Sequence, residues 1–147
     1  MAAIRGADTK PELIIRRGLH ARGFRYRLHN RKLPGRPDLV LPRYRAVIFV
    51  NGCFWHGHHC PLFKWPKTRE EFWRDKIGGN VERDRRNLES LRASGWRIGV
   101  VWECALKGKQ RRETKEVLDN LSAWLCDTAL ECEIEGRQDQ DTTETRA

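Results

Sequence analysis

Ten residues constrain this chain more than any others: Asn51-Gly52-Cys53-Phe54-Trp55-His56-Gly57-His58-His59-Cys60. They put two thiols, three imidazoles and two large aromatic rings into one stretch, more metal-ligand and stacking chemistry than an ordinary loop carries. The apolar residues 46–50 lead straight into it. A buried strand is therefore expected to end, turn at Gly52 and present a reactive loop at its tip.

The rest of the composition frames that loop. At 147 residues the chain is long enough for one domain with a real core. With 39% hydrophobic and 33% charged residues, that core should be small and the surface heavily solvated. No stretch approaches the roughly 20 apolar residues of a membrane span, and no apolar leader opens the chain. A cytoplasmic location is expected, where five cysteines with clustered histidines favour metal over disulfides. The net charge of +9 is uneven, with twelve Lys or Arg against three Asp or Glu in residues 1–45. Such an excess is common on solvated surfaces, but it also suits a polyanion partner. From Asp127 the balance reverses, and residues 127–147 are expected to be an acidic, disordered tail behind a domain spanning 1–126.

Thr9-Lys10-Pro11-Glu12 predicts a capped helix start, with an apolar face of Leu13, Ile14, Ile15 and Leu19 reaching Gly23. Glu12 suits the helix dipole there. Residues 24–28 alternate apolar or aromatic side chains with arginine, as a short edge strand does. Asp38 opens a short apolar strand, Pro42-Arg43 turns the chain, and residues 45–50 return to make a hairpin. Thr68 to Glu71 reads as a second capping box, starting a short helix that ends at Gly78-Gly79. Asn80 then caps a longer helix running to Gly95. Residues 96–103 form a central strand, which a helical crossover places parallel to the strand before the Cys/His loop. Residues 111–126 carry a final amphipathic helix, and Trp96, Trp102 and Trp124 are expected in the core.

Parallel neighbours end at the same edge of a sheet. Cys53 lies just past one strand end and Cys104 just past the other, so both can meet beside His58 and Cys60. Three thiolates and an imidazole form a closed set suited to structural zinc, with His59 as an alternative to His58. The spacing matches no common zinc finger, and buried free cysteines beside surface histidines are the bland alternative. Zinc would leave His56 free and pin the loop that bears it. An imidazole can accept a proton from water near neutral pH. Asp38 is a hard oxygen donor suited to magnesium, although an aspartate beside prolines is often only a turn residue. Phe54, Trp55 and Trp73 can wedge between bases, although most aromatics at this density are core. The charge run from Glu82 to Arg86 reads first as a solvated helix face.

In these residues the chain resembles the very short patch repair (Vsr) DNA mismatch endonucleases. The likeness runs from about Ile4 to Cys126. It rests on Leu33-Pro34-Gly35-Arg36-Pro37-Asp38, the block from Gly52 to His56 ending at Cys60, and Glu71-Phe72-Trp73. Lys76-Ile77-Gly78, the run from Asn80 to Arg86, Gly95-Trp96-Arg97 and Val101-Trp102-Glu103-Cys104 follow in the same order. The resemblance implies an α/β fold, a restriction-endonuclease-like mixed β-sheet flanked by helices with a structural zinc site. It implies a magnesium-dependent DNA repair endonuclease that nicks one strand beside the thymine of a T:G mismatch, the lesion left by deamination of 5-methylcytosine. In that scheme Asp38 binds Mg2+ through its side chain and Val50 through its backbone carbonyl. His56 is the general base and Glu12 a supporting catalytic carboxylate. Cys53, His58, Cys60 and Cys104 hold Zn2+, and Phe54, Trp55 and Trp73 intercalate. The implied partner is double-stranded DNA bearing the mismatch, engaged by a monomer in the bacterial cytoplasm and nucleoid; mismatch-repair proteins are admitted as further partners.

Two features depart from the family pattern. Val50-Asn51 stands where the family often has Thr-His; a backbone carbonyl survives that exchange, whereas a hydroxyl or imidazole does not. Met1 falls where the family already carries residues that embrace DNA, which bears on affinity. Two other readings stand beside the first: a nuclease of the same fold with another specificity, as in restriction or defence, and a DNA-binding module with weak or no turnover.

Overall fold

The computed structural model describes residues 8–138. The N-terminal residues expected to bear on DNA affinity, and the last residues of the acidic tail, lie outside them. The elements run α1 (Lys10–Ala21), β1 (Arg27–Leu28), β2 (Leu39–Leu41), β3 (Ala46–Asn51), α2 (Glu70–Ala93), β4 (Arg97–Trp102), α3 (Thr114–Leu125) and β5 (Glu131–Ile134). One five-stranded sheet has the order β1-β2-β3-β4-β5. Its first three strands are antiparallel, and β3–β4 and β4–β5 are parallel. The mixed sheet, the β2–β3 hairpin and the parallel β3–β4 pair are as the sequence predicts.

The strands' period of two sorts side chains onto two faces. Leu39, Leu41, Ala46 and Ile48 pack with Ile15 and Leu19 of α1 and Leu121 and Leu125 of α3. Val40, Val47 and Ile98 pack on the opposite face with Leu91 of α2. Helices thus cover both faces, and α3 comes close enough that a Cβ on Gly99 would lie 2.9 Å from the Trp124 ring.

Five local expectations are corrected. Gly78-Gly79 does not divide α2, which is continuous over 24 residues. Two helical glycines cost about 1 kcal/mol each, and tertiary packing outweighs that. Ile77, Asn80, Val81 and Asp84 fall on one helical face at spacings of three and four. That face lies along residues 55–57: Asn80 Nδ2 donates to the Trp55 carbonyl at 2.9 Å, and a Cβ on Gly57 would lie 2.8 Å from Val81. Thr68 does not cap α2; Arg69 occupies the N-cap with φ 54° and no side-chain cap bond. At α1 the Thr9 hydroxyl does accept from the Glu12 N–H at 3.3 Å, but the Glu12 carboxylate takes the N–H of Asp8 rather than of Thr9. Residues 131–134 of the expected tail are a strand, held parallel to β4 with Ile134 buried. Finally, Trp124 is core, whereas Trp96 and Trp102 are only half-buried, Trp96 against the second core and Trp102 at the sheet end.

Candidate active site and metal centre

Strands β3 and β4 run in parallel register from Ala46↔Arg97 to Asn51↔Trp102, so their ends coincide. Beyond them lie the 52–60 loop and a 3-10 turn at Glu103–Ala105. This brings Cys53, His58, Cys60 and Cys104 together, with one donor atom from each lying within 4.8 Å of the others. A tetrahedral ion with 2.3 Å bonds to sulfur separates its ligands by ~3.8 Å, so small inward movements of this set close on zinc. Cys53 and Cys104 are buried. The Cys104 N–H donates to Cys53 Sγ at 3.3 Å and the Gly136 N–H to Cys104 Sγ at 3.2 Å. The hydrogen bond with Cys53 pulls the Cys104 thiol down to about 6, while the same contact pushes Cys53 up. Binding a metal would require these thiols to lose their protons. The geometry also chooses between the two neighbouring histidines. His58 Nδ1 lies 3.6 Å from Cys104 Sγ, whereas His59 is exposed. The Cys₃His cluster is compatible with zinc.

The same loop delivers His56 to a cleft of about 630 Å³ whose walls include Glu12, Asp38, Val50, Trp55 and Asp84. His56 Nδ1 sits 2.6 Å from Asp84 Oδ2. A carboxylate can only accept, so Nδ1 carries the proton and Nε2 is left as the acceptor nitrogen. Asp38 stands just before β2, and its Oδ2 accepts from the Val50 N–H at 2.7 Å. Burial pushes the Asp38 carboxyl up to about 7; the Val50 bond opposes this, and the negative charge of Glu12 adds to it. The charge of His29 also opposes the rise, and the hard oxygens of such a carboxylate suit a magnesium ion. Glu12 is 1% exposed and already bonded: Arg16 Nη1 at 3.0 Å, His29 Nε2 at 2.6 Å and the Asp8 N–H at 3.0 Å.

Aromatic side chains edge this cleft. The centroids of Phe54, Trp55 and Trp73 lie 5.0 to 5.8 Å apart, all three rings half-buried. Phe63 extends the cluster from Phe54, at 5.6 Å.

A family model described as DNA mismatch endonuclease Vsr matches residues 1–62. The DNA mismatch endonuclease Vsr of Escherichia coli is 49% identical over 124 residues, covering 84% of this chain and 80% of that protein. The chain belongs to the Vsr family. It is also similar to the type II nicking enzyme V.XorIIP of Xanthomonas oryzae pv. oryzae, 46% identical over 81% of this chain and 89% of that enzyme. A further type II nicking enzyme, V.NmeAIP of Neisseria meningitidis, is 45% identical over 74% of this chain and 78% of its own length. Nuclease activity is thus the common theme of its named relatives.

Of the residues expected from sequence, Cys53, His58, Cys60 and Cys104 lie together, and Glu12, Asp38, Val50 and His56 line one cleft, but several of their partners were missed. Asp84 was hidden in a mixed charge run; the signal that finds it is its i, i+4 spacing from Asn80 on one face of α2. His29, which grips Glu12 from the β1 end, has no local signature, because its 17-residue separation from Glu12 is bridged only by the fold. Glu135, 2.7 Å from His58 Nε2, lies in the segment read as tail. Among the described residues no helix is long and apolar enough to cross a membrane.

Proposed function

We propose that this chain is a DNA mismatch endonuclease that nicks one strand beside the thymine of a T:G mismatch, starting very short patch repair. The observation that carries the reading is that the His56–Asp84 pair and the Asp38 carboxylate open onto one cleft. The names of its relatives, a mismatch endonuclease and nicking enzymes, support a single-strand cut.

In this reading His56 Nε2 takes a proton from water as the water oxygen attacks the scissile phosphorus. The bond from phosphorus to the leaving oxygen breaks, and solvent protonates that oxygen. Asp84 keeps the imidazole in the required tautomer and stabilises the imidazolium that forms. Asp38, with the Val50 carbonyl, would hold magnesium, which supplies charge neutralisation at the phosphate and the leaving oxygen. Glu12, clamped by Arg16 and His29, supports Asp38 from behind. Val50-Asn51 keeps the backbone carbonyl that this role needs. The Cys₃His cluster would hold structural zinc and so brace the loop bearing His56.

Phe54, Trp55 and Trp73 form the wedge. Inserting rings between base steps costs a few kcal/mol of unstacking, least where pairing is already weak, so a mismatch is the favoured entry. The basic residues that dominate positions 1–45 supply phosphate contacts. The enzyme acts as a cytoplasmic monomer on double-stranded DNA, as suits a nick rather than a double break.

The test is incubation of end-labelled duplexes with protein and magnesium over a panel of sequence contexts, each as T:G mismatch and matched pair. The expected product is one nick in the thymine strand of the mismatched duplex. Cleavage of matched DNA or of both strands would support the same-fold nuclease of other specificity. Salt-sensitive binding without product would leave only a binding module.

A further inference from the structure

Residues 131–136 lie beyond the blocks that carry the Vsr resemblance, yet they close over the metal centre. β5 runs in register with β4 as far as Val101↔Ile134, which sets the next residues beside the cluster. Glu135 Oε1 then lies 2.7 Å from His58 Nε2, and the Gly136 N–H points at Cys104 Sγ. Gly136 is buried, and a Cβ on it would meet the Cys104 carbonyl oxygen at 2.8 Å, so only glycine brings the chain this close. Two bonds fasten the segment from the far side: Arg112 Nε donates to the Glu135 carbonyl and the Arg137 N–H to the Gln110 carbonyl, both at 2.7 Å. The face of His58 is fixed as well as its edge. Its ring stacks on Trp102 at 4.2 Å, and Trp102 Nε1 is itself held by Glu133 at 2.7 Å.

A carboxylate on one ring nitrogen decides what the other can do. With Nε2–H donated to Glu135, Nδ1 keeps its lone pair, and Nδ1 is the nitrogen that faces the thiols. An N–H donated to a sulfur also spreads the charge that a thiolate ligand carries.

We propose that Glu135 is a positioning residue for the metal centre: it accepts the Nε2–H of His58, fixes the tautomer that offers Nδ1 to the ion, and with Gly136 makes residues 131–136 a clasp that retains zinc. This rests on the reading that the Cys₃His cluster holds zinc. Outer carboxylates on metal-bound histidines change metal affinity by about 10- to 100-fold when removed.

The experiment measures zinc content, then zinc release to excess chromogenic chelator, for the wild type, Glu135→Ala, Glu135→Gln and Glu131→Ala. Glu131 is a control on the same strand, paired with Arg92 away from the cluster. Glu135→Ala is expected to release zinc about 10- to 100-fold faster. Glu135→Gln, whose amide oxygen still accepts an N–H, should stay close to the wild type, and Glu131→Ala should match it. Nitrogen-15 shifts of His58 in the zinc-loaded wild type should report a protonated Nε2 and a metal-bound Nδ1, a readout that needs no variant to fold. A wild type that purifies without zinc sinks the metal reading and the clasp with it. A zinc-bearing wild type with Nε2 on the metal, or a Glu135→Ala protein that releases zinc like Glu131→Ala, overturns the clasp alone.

Discussion

Asp38 owes its character to burial, and burial makes it testable by pH. The folded protein holds the Asp38 proton more tightly than the unfolded chain, because its carboxyl is pushed up to about 7 from an ordinary 3.8. The associated stability is fully present below about pH 4 and is lost as pH rises through about 7. In metal-free protein, the melting temperature of the wild type relative to Asp38→Asn should therefore fall between pH 4 and 7, and magnesium should restore it at pH 7. A difference that stays flat with pH would mean that Asp38 is solvated. Asp84 is tested by rate. Asp84→Asn keeps the shape but no longer holds the His56 tautomer, so single-turnover nicking should drop by roughly 10²-fold or more with DNA affinity unchanged. Loss of affinity in place of rate would make Asp84 a DNA-contact residue.

Helix α2 is the element that translates fold into site. Its residues 77, 80, 81 and 84 lie along the loop at 55–57, so one continuous helix sets the height of Trp55 and the orientation of His56. A Cβ at Gly78 or Gly79 would meet nothing within 4 Å. Gly78→Ala and Gly79→Ala should each raise unfolding free energy by about 0.5–1 kcal/mol, measured by denaturant titration. Destabilisation would show that the helix needs the glycines. Local rules misjudged this element because they weigh glycine and capping within the chain, whereas the packing partner of α2 comes from residues before its N-terminus. The hairpin at Pro42, by contrast, was legible because its turn chemistry and two apolar runs are contiguous. The same limit hid β5: Glu131 and Glu133 read as an acidic tail, although acidic side chains also suit an exposed sheet edge.

At the scale of the molecule, parallel pairing of β3 with β4 is the decisive event. It brings Cys104 to a cluster whose other members lie within eight residues of one another, and in the proposed reading a zinc ion there would brace the loop carrying His56. The sequence disclosed this site because its ligand types are rare and crowded. It could not disclose partners such as Asp84, His29 and Glu135, ordinary charged residues that gain meaning only from position. The central claim is that Asp38 and His56, which line one cleft, act on one phosphorus. Its most direct test is single-turnover nicking of a labelled T:G duplex in magnesium by the wild type, Asp38→Ala and His56→Ala, with binding to the same duplex measured in parallel. The account predicts one nick by the wild type and a loss of about 10² to 10⁴-fold in each variant, with binding kept within a few-fold. A wild type that leaves the duplex intact, or either variant cutting near the wild-type rate, would contradict it.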